Sequence, residues 1–206
     1  MNRTVKQKRA DFRSLHASGC FVLPNPWDVG TARMLAGLGF KALATTSSGF
    51  AWSQGHADGA VPREVVLAHL RTMAAATDLP LNADFESGYA ADAAGVFESV
   101  RMAIDTGVAG LSIEDSTGDA ANPLRSIEVS VERLRAARAA IVLAAWRKPA
   151  HAVRASAPPM LMRRTPMAAT SSSVNSLAAP MSRFTGFGAT AATTAVICSR
   201  VRMPGA

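Results

Sequence analysis

Acidic residues are missing from the last third of this chain. All 15 Asp and Glu lie at or before Glu132, and the 74 residues that follow hold 11 Lys and Arg with no acid among them. Residues 1–132 carry 11 basic and 15 acidic side chains, a net charge of −4, whereas the remainder carries +11. An asymmetry of that size reads as two different stretches joined. Cysteine is almost absent too. Cys20 and Cys198 lie far apart, with no CxxC or His-spaced partner, so neither a zinc site nor a disulfide framework is expected and both read as ordinary buried or free thiols. No apolar run reaches the roughly 18 residues of a membrane span, and the charged start MNRTVKQKRADF has no apolar core behind it. The expected location is therefore cytoplasmic.

What is present is a periodic α/β pattern. At 49% hydrophobic residues and a mean hydropathy of +0.13, 206 residues suit one substantial core. Phe21-Val22-Leu23 reads as a strand ended by Pro24, and Asp28 as the cap of a helix with Val29, Ala32 and Ala36 on one face, stopped by Gly39. Lys41 to Thr45 is the next strand. Pro62 suits the first turn of a helix carrying Val66, Leu70 and Met73, and Leu79 to Ala83 is the third strand. Asp92 caps a helix with Val96, Val100 and Ala103 in register, closed by Gly107, before a fourth strand from Ala109 to Ile113. A further helix aligns Val131, Leu134 and Ile141. Strands that alternate with helices imply a parallel sheet, either doubly wound or a (β/α) barrel, whose sites form at the carboxyl ends of the strands.

Those ends carry acids. In LPLNADFESGYA, Asp84 and Glu86 close the third strand, and in GLSIEDSTG, Glu114 and Asp115 close the fourth. Neighbouring strands would bring them within reach of one another. Like charges at that range are tolerated only if solvated, protonated or neutralised, and Mg²⁺ or Mn²⁺ is the natural cation for oxygen-only ligands. A shared metal site and solvated acids that cap the following segments are both open on spacing alone.

The ordered motifs TTSSGFAWSQGHAD, LPLNADFESGYA and GVAGLSIEDS, with Asn122 a little further on, resemble the isocitrate lyase/phosphoenolpyruvate mutase superfamily, in particular its small phosphonomutase-like branch. The resemblance covers roughly residues 10–141. It implies a (β/α)₈ TIM-type barrel that binds Mg²⁺ and a 2-oxo acid or its enolate, forms homo-oligomers, and makes or breaks a C–C or P–C bond. By position, Asp84 resembles the direct metal ligand. Asp58, Glu86 and Glu114 resemble the carboxylates that hold metal-bound waters, Glu86 standing where many members have Asp. Ser48, Gly49 and Phe50 resemble the turn that holds the substrate carboxylate, and Asn122 a substrate-contacting Asn. Tyr89 lies beside the metal acids. His56, on the loop before Asp58, reads as an exposed histidine without a role, a substrate contact being the other reading, and His16 and His69, in helical segments, read as surface or interface residues.

Departures from the family matter as much. Isocitrate lyases carry a Cys, and mutases a Lys, in the loop after the fourth strand, where this chain reads STGDAANPL with neither. Decarboxylation or retro-aldol cleavage of a small 2-oxo or substituted dicarboxylic acid stays open. After Ile141 the resemblance stops, and no fifth-strand Arg follows. The expectation is thus an incomplete barrel of about four β/α units over 1–141, followed by a low-complexity basic tail over 142–206, poorly ordered, with the composition of a GC-rich gene read out of frame. Weak catalysis follows from such a half-barrel, and an inactive remnant is the alternative to a Mg-dependent lyase. A nucleic-acid-binding tail is the other alternative, although it lacks clustered basic runs with interleaved aromatics. A membrane partner is not expected.

Overall fold

The computed structural model describes residues 3–146 and 195–198. Its elements run α1 (Val5–Leu15), β1 (Cys20–Leu23), α2 (Val29–Gly37), β2 (Leu43–Ala44), α3 (Ser47–Ser53), α4 (Arg63–Ala76), β3 (Leu81–Asp84), α5 (Ala93–Ile104), β4 (Gly110–Ser112), α6 (Ile127–Trp146) and β5 (Ala195–Cys198). The caps fall where the sequence puts them. Asp28 Oδ1 accepts from the Thr31 N–H at 2.7 Å and Asp92 Oδ1 from the Gly95 N–H at 2.8 Å, each satisfying a donor that has no partner inside its helix.

Strands β2, β3 and β4 form a parallel sheet in that order, with Leu43 opposite Leu81 and Asp84 opposite Ser112. Helices α4 and α5 bury Val66, Leu70, Met73, Val96, Val100 and Ala103 against Leu43, Leu81, Ala83 and Phe85. A smaller cluster of Phe12, Leu23, Ala42 and Ala44 ties α1 to the strands. Gly110 is required here, since a Cβ on it would lie 2.5 Å from Phe12 Cε1.

Several expectations need correction. Strand β1 does not extend the parallel ladder; it pairs antiparallel with β5, Cys20 opposite Cys198. Proline explains the break, because Pro24 and Pro26 lack the N–H groups that a continuing ladder would need. Cys20 is disulfide-bonded and not a free thiol.

The boundary at residue 141 also falls inside a helix, for α6 runs to Trp146. Its buried row is Arg133, Ala137 and Ala140, while Val131, Leu134 and Ile141 are exposed. Small residues let α6 lie close to α5, which sequence periodicity alone weighs too lightly.

The turn at Ser48 to Phe50 is instead the first turn of α3, capped by Thr46. Nor is His69 a surface residue: its ring stacks on Phe50 at 3.7 Å, and burial lowers its pKa to about 4, against a smaller opposing effect of Asp28. His16 is likewise wedged edge-on between Phe12 and Phe21.

The tail expected over 142–206 lies outside the described residues except at its start and in β5. No described helix is long and apolar enough to cross a membrane.

Candidate active site

Because β2, β3 and β4 run parallel, their carboxyl ends meet at one end of the sheet. Thr45, just past β2, is buried, and its Oγ1 accepts from the Asp84 N–H at 2.9 Å. The Ser47 N–H donates to Asp84 Oδ2 at 2.8 Å, so backbone and side chain of this acid are both fixed by the neighbouring segment. Pairing between the β3 and β4 segments continues past the strands. The Phe85 N–H reaches the Ser112 carbonyl at 3.2 Å and the Glu114 N–H the Glu86 carbonyl at 2.8 Å. That extension sets Glu86 and Glu114 side by side.

The chain then turns sharply. Glu86 (φ 43°), Gly88 (φ 82°) and Tyr89 (φ 52°) are left-handed, a conformation that costs roughly 1–2 kcal/mol at each non-glycine position. The Tyr89 hydroxyl donates to Glu86 Oε1, and its ring packs edge-on against buried Phe85 at 5.1 Å. The loop before α4 comes close as well: a Cβ on Gly59 would lie 3.9 Å from Glu86 Oε2.

Asp58, Glu86 and Glu114 line a cavity of about 240 Å³, together with Ser47, Gly59, Ser87 and the segment from Ser116 to Gly118. That volume suits a metabolite of a few carbons. Among the described residues, no basic side chain lines it. Burial pushes the Glu86 carboxyl up, and the charges of Asp58 and Asp84 add to this against the lowering effect of the Tyr89 hydrogen bond. Burial raises Glu114 too, followed by the charges of Asp84, Asp58, Glu86 and Asp115. The Tyr89 phenol is pushed up by burial and by its bond to Glu86.

Such an uncompensated set of oxygen donors fits a hard divalent cation in chemistry. Among the described residues, however, no three His, Cys, Asp or Glu side chains already stand as a group that could hold one. The carboxylates would have to draw together around the ion.

Of the residues singled out in the sequence, Asp58, Asp84, Glu86 and Glu114 meet here through electrostatic coupling. Asp84 is not itself part of the cavity lining, and neither are the remaining residues. The Gly49 N–H is taken by Thr46 Oγ1 at 3.2 Å and the Phe50 N–H by the Thr46 carbonyl at 3.1 Å, while Phe50 itself is buried. Ser48 Oγ lies 3.3 Å from Thr46 Oγ1. Asn122 is exposed and tied to Asp119, and His56 is exposed on its loop. Sequence reasoning missed Ser47, Gly59, Ser87 and Ser116 to Gly118. The readable signal was the run of hydroxyls and glycines directly beside each acid, as in EDSTG.

The model of the family "Phosphoenolpyruvate phosphomutase" matches residues 12–145. An uncharacterized protein of Mycobacterium tuberculosis (strain H37Rv) is 37% identical over 111 residues, 52% of this chain and 41% of that protein. The crystal structure of a candidate lyase/mutase from Burkholderia cenocepacia J2315 superposes with a TM-score of 0.64 at 46% identity, over 66% of this chain and 50% of that one. That of 2,3-dimethylmalate lyase, a member of the PEP mutase/isocitrate lyase superfamily, superposes with a TM-score of 0.60 at 26% identity, over 70% and 51%. The chain thus spans about half or less of the length of these relatives. The matched span contains every acid of the cavity and the parallel strands that bear them, and the chain belongs to the phosphoenolpyruvate phosphomutase family.

Proposed function

We propose that this chain is a Mg²⁺- or Mn²⁺-dependent lyase or phosphonomutase-like enzyme. Its substrate is a small 2-oxo acid or substituted dicarboxylic acid, cleaved at a C–C or P–C bond through an enolate. The observation that carries this reading is the gathering of Asp58, Asp84, Glu86 and Glu114 at the carboxyl end of the sheet, with Glu86 and Glu114 raised in pKa by burial and by their acidic neighbours, at a cavity whose described lining holds no basic side chain. A family whose similar structures include a 2,3-dimethylmalate lyase supports an enzyme over a basic binding protein.

In this reading Asp84 is the direct ligand, because the Ser47 N–H and Thr45 Oγ1 fix it more firmly than any other acid of the group. Asp58, Glu86 and Glu114, which line the cavity, would hold the ion's waters. Bound Mg²⁺ or Mn²⁺ would polarise the 2-oxo oxygen and stabilise the negative charge that develops beside the breaking bond. Tyr89 orients Glu86 through its hydroxyl. The hydroxyls of Ser47, Ser87, Ser116 and Thr117 line the cavity wall and supply donors for a substrate carboxylate. The Ser48 to Phe50 segment lies off this wall, with the Gly49 and Phe50 amides engaged by Thr46.

The test is an assay with Mg²⁺ or Mn²⁺ on 2,3-dimethylmalate, oxaloacetate and phosphonopyruvate, following pyruvate or phosphoenolpyruvate. The expected result is a cation-dependent product that chelation and Asp84→Ala both abolish. A folded, cation-saturated chain that converts none of the three, or turnover indifferent to Asp84→Ala, overturns the reading.

A further inference from the structure

Arg133 is a charged side chain where the helix pattern calls for a small apolar one. It shares the buried row of α6 with Ala137 and Ala140 and is 2% exposed. Arginine is rarely so deeply buried without partners. Its partners are not acids. Nη1 donates to the Ala91 carbonyl at 3.0 Å, and Nη2 donates to the Ala90 carbonyl at 2.8 Å and to the Ser87 carbonyl. These carbonyls belong to one short loop, the loop that begins at Glu86.

That loop is also where the backbone is most strained, with Glu86 and Tyr89 left-handed without being glycine. Such conformations persist only when the surroundings over-determine them. Two ties come from the loop's own neighbourhood: the Gly88 N–H to the Phe85 carbonyl at 2.8 Å and the Glu114 N–H to the Glu86 carbonyl at 2.8 Å. Tyr89 is held by its side chain, through its hydroxyl on Glu86 and its ring on Phe85, but neither of those ties restrains the backbone of residues 89–91. The guanidinium does, because its planar fork spreads several donors at fixed angles and gathers carbonyls that a single ammonium could not span together.

We infer that Arg133 is a positioning residue for the acidic site: from α6 it clamps the Ser87, Ala90 and Ala91 carbonyls and thereby holds Glu86 in the cavity wall with the Tyr89 hydroxyl upon it. The role of Glu86 rests on the proposed function, whereas the clamp itself does not. Arg133 touches neither substrate nor cation and acts only through the loop. A purely structural arginine would stabilise the whole domain without a local effect on Glu86 and Tyr89.

Tyr89 is the only tyrosine of the chain, so tyrosine labelled with ¹³C at Cζ gives one signal that reports its hydrogen bond to Glu86. Full-length protein would be compared with Arg133→Met, Arg133→Lys and, as a control on the same buried row, Ala140→Gly. In Arg133→Met the Tyr89 signal should move to the position of free tyrosine, and amide exchange over residues 85–92 should speed up at least tenfold while α4 keeps its protection. Arg133→Lys should move both readouts part of the way, and it carries the test by itself if the Met variant does not fold. Ala140→Gly should lower the melting temperature without moving the Tyr89 signal.

Binding of Mn²⁺ alone, followed by its paramagnetic resonance, should weaken roughly tenfold in Arg133→Lys. If wild type binds no Mn²⁺, the proposed function fails while the tyrosine and exchange readouts still decide the clamp. An unmoved Tyr89 signal with unchanged exchange over 85–92 in a folded Arg133 variant, or an equal shift in Ala140→Gly, overturns the inference.

Discussion

The two ends of the β2–β4 sheet treat charge in opposite ways. At the amino ends of β3 and β4, buried Lys8 of α1 donates to the Ala74 carbonyl at 2.8 Å and to that of Thr77, and Arg9 donates to the Val108 and Ile104 carbonyls at 3.0 and 2.7 Å. These cations satisfy the last carbonyls of α4 and α5, where the helix dipoles also favour positive charge. At the carboxyl ends, Asp58, Asp84, Glu86 and Glu114 repel one another at a cavity whose described lining has no basic side chain. One end commits its charge to stability, and the other keeps like charges together at a cost. Such retained cost is a mark of a functional end.

The contrast can be broken most sharply at Lys8. Lys8→Met leaves two helix-terminal carbonyls without their charged donor and should destabilise the domain by about 2–4 kcal/mol in urea titration. A loss near zero would mean that α1 is a dispensable cover.

Next in size comes the opposite end. A divalent cation at a hundred times its Kd should stabilise the fold by about 2.7 kcal/mol, seen as a rise in Tm. Asp84→Ala should abolish the rise and Asp58→Ala only reduce it. A rise that survives Asp84→Ala would place the cation elsewhere.

His69 gives a smaller effect of predictable sign. Its folded pKa of about 4 lies below the ordinary value of 6.5, so its stabilising contribution is complete above pH 6.5 and is lost as pH falls toward 4. The loss should reach about 1–2 kcal/mol after discounting for partial exposure. His69→Phe, which keeps the stack on Phe50, should remove that slope.

The smallest effect runs the other way. The folded pKa values of Glu86 and Glu114 are raised, so their destabilising contribution is complete above those raised values and is relieved as pH falls toward 4.5. Without divalent cation, Glu86→Gln should therefore stabilise the protein at neutral pH by about 0.5–1 kcal/mol. Destabilisation instead would mean that the carboxylate is already compensated.

Legibility differed by kind of feature. Asp28 and Asp92 were readable as caps because a cap acts on a donor three residues away. Asp84 and Glu114 were readable as neighbours because each closes a short apolar strand, and the parallel order put both at one end of the sheet. Ser47 was missed by one residue, since the helix start at Thr46 fixes which amide faces Asp84. The apolar row Val131, Leu134 and Ile141 satisfied the helical period and still faces solvent, because α6 is rotated to bring Arg133 and two alanines against α5.

By itself, then, the sequence determined the alternating elements, their caps and the acids at the strand ends, all features that act within a few residues along the chain. Tertiary structure decided the rest. Lys8 meets a carbonyl 66 residues away, Arg133 meets one 42 residues away, and β1 leaves the parallel ladder for a strand near the other end of the chain. The physical reason is that a buried cation is tolerated only where docking delivers carbonyls to it, and no local pattern along α1 or α6 records which carbonyls those are.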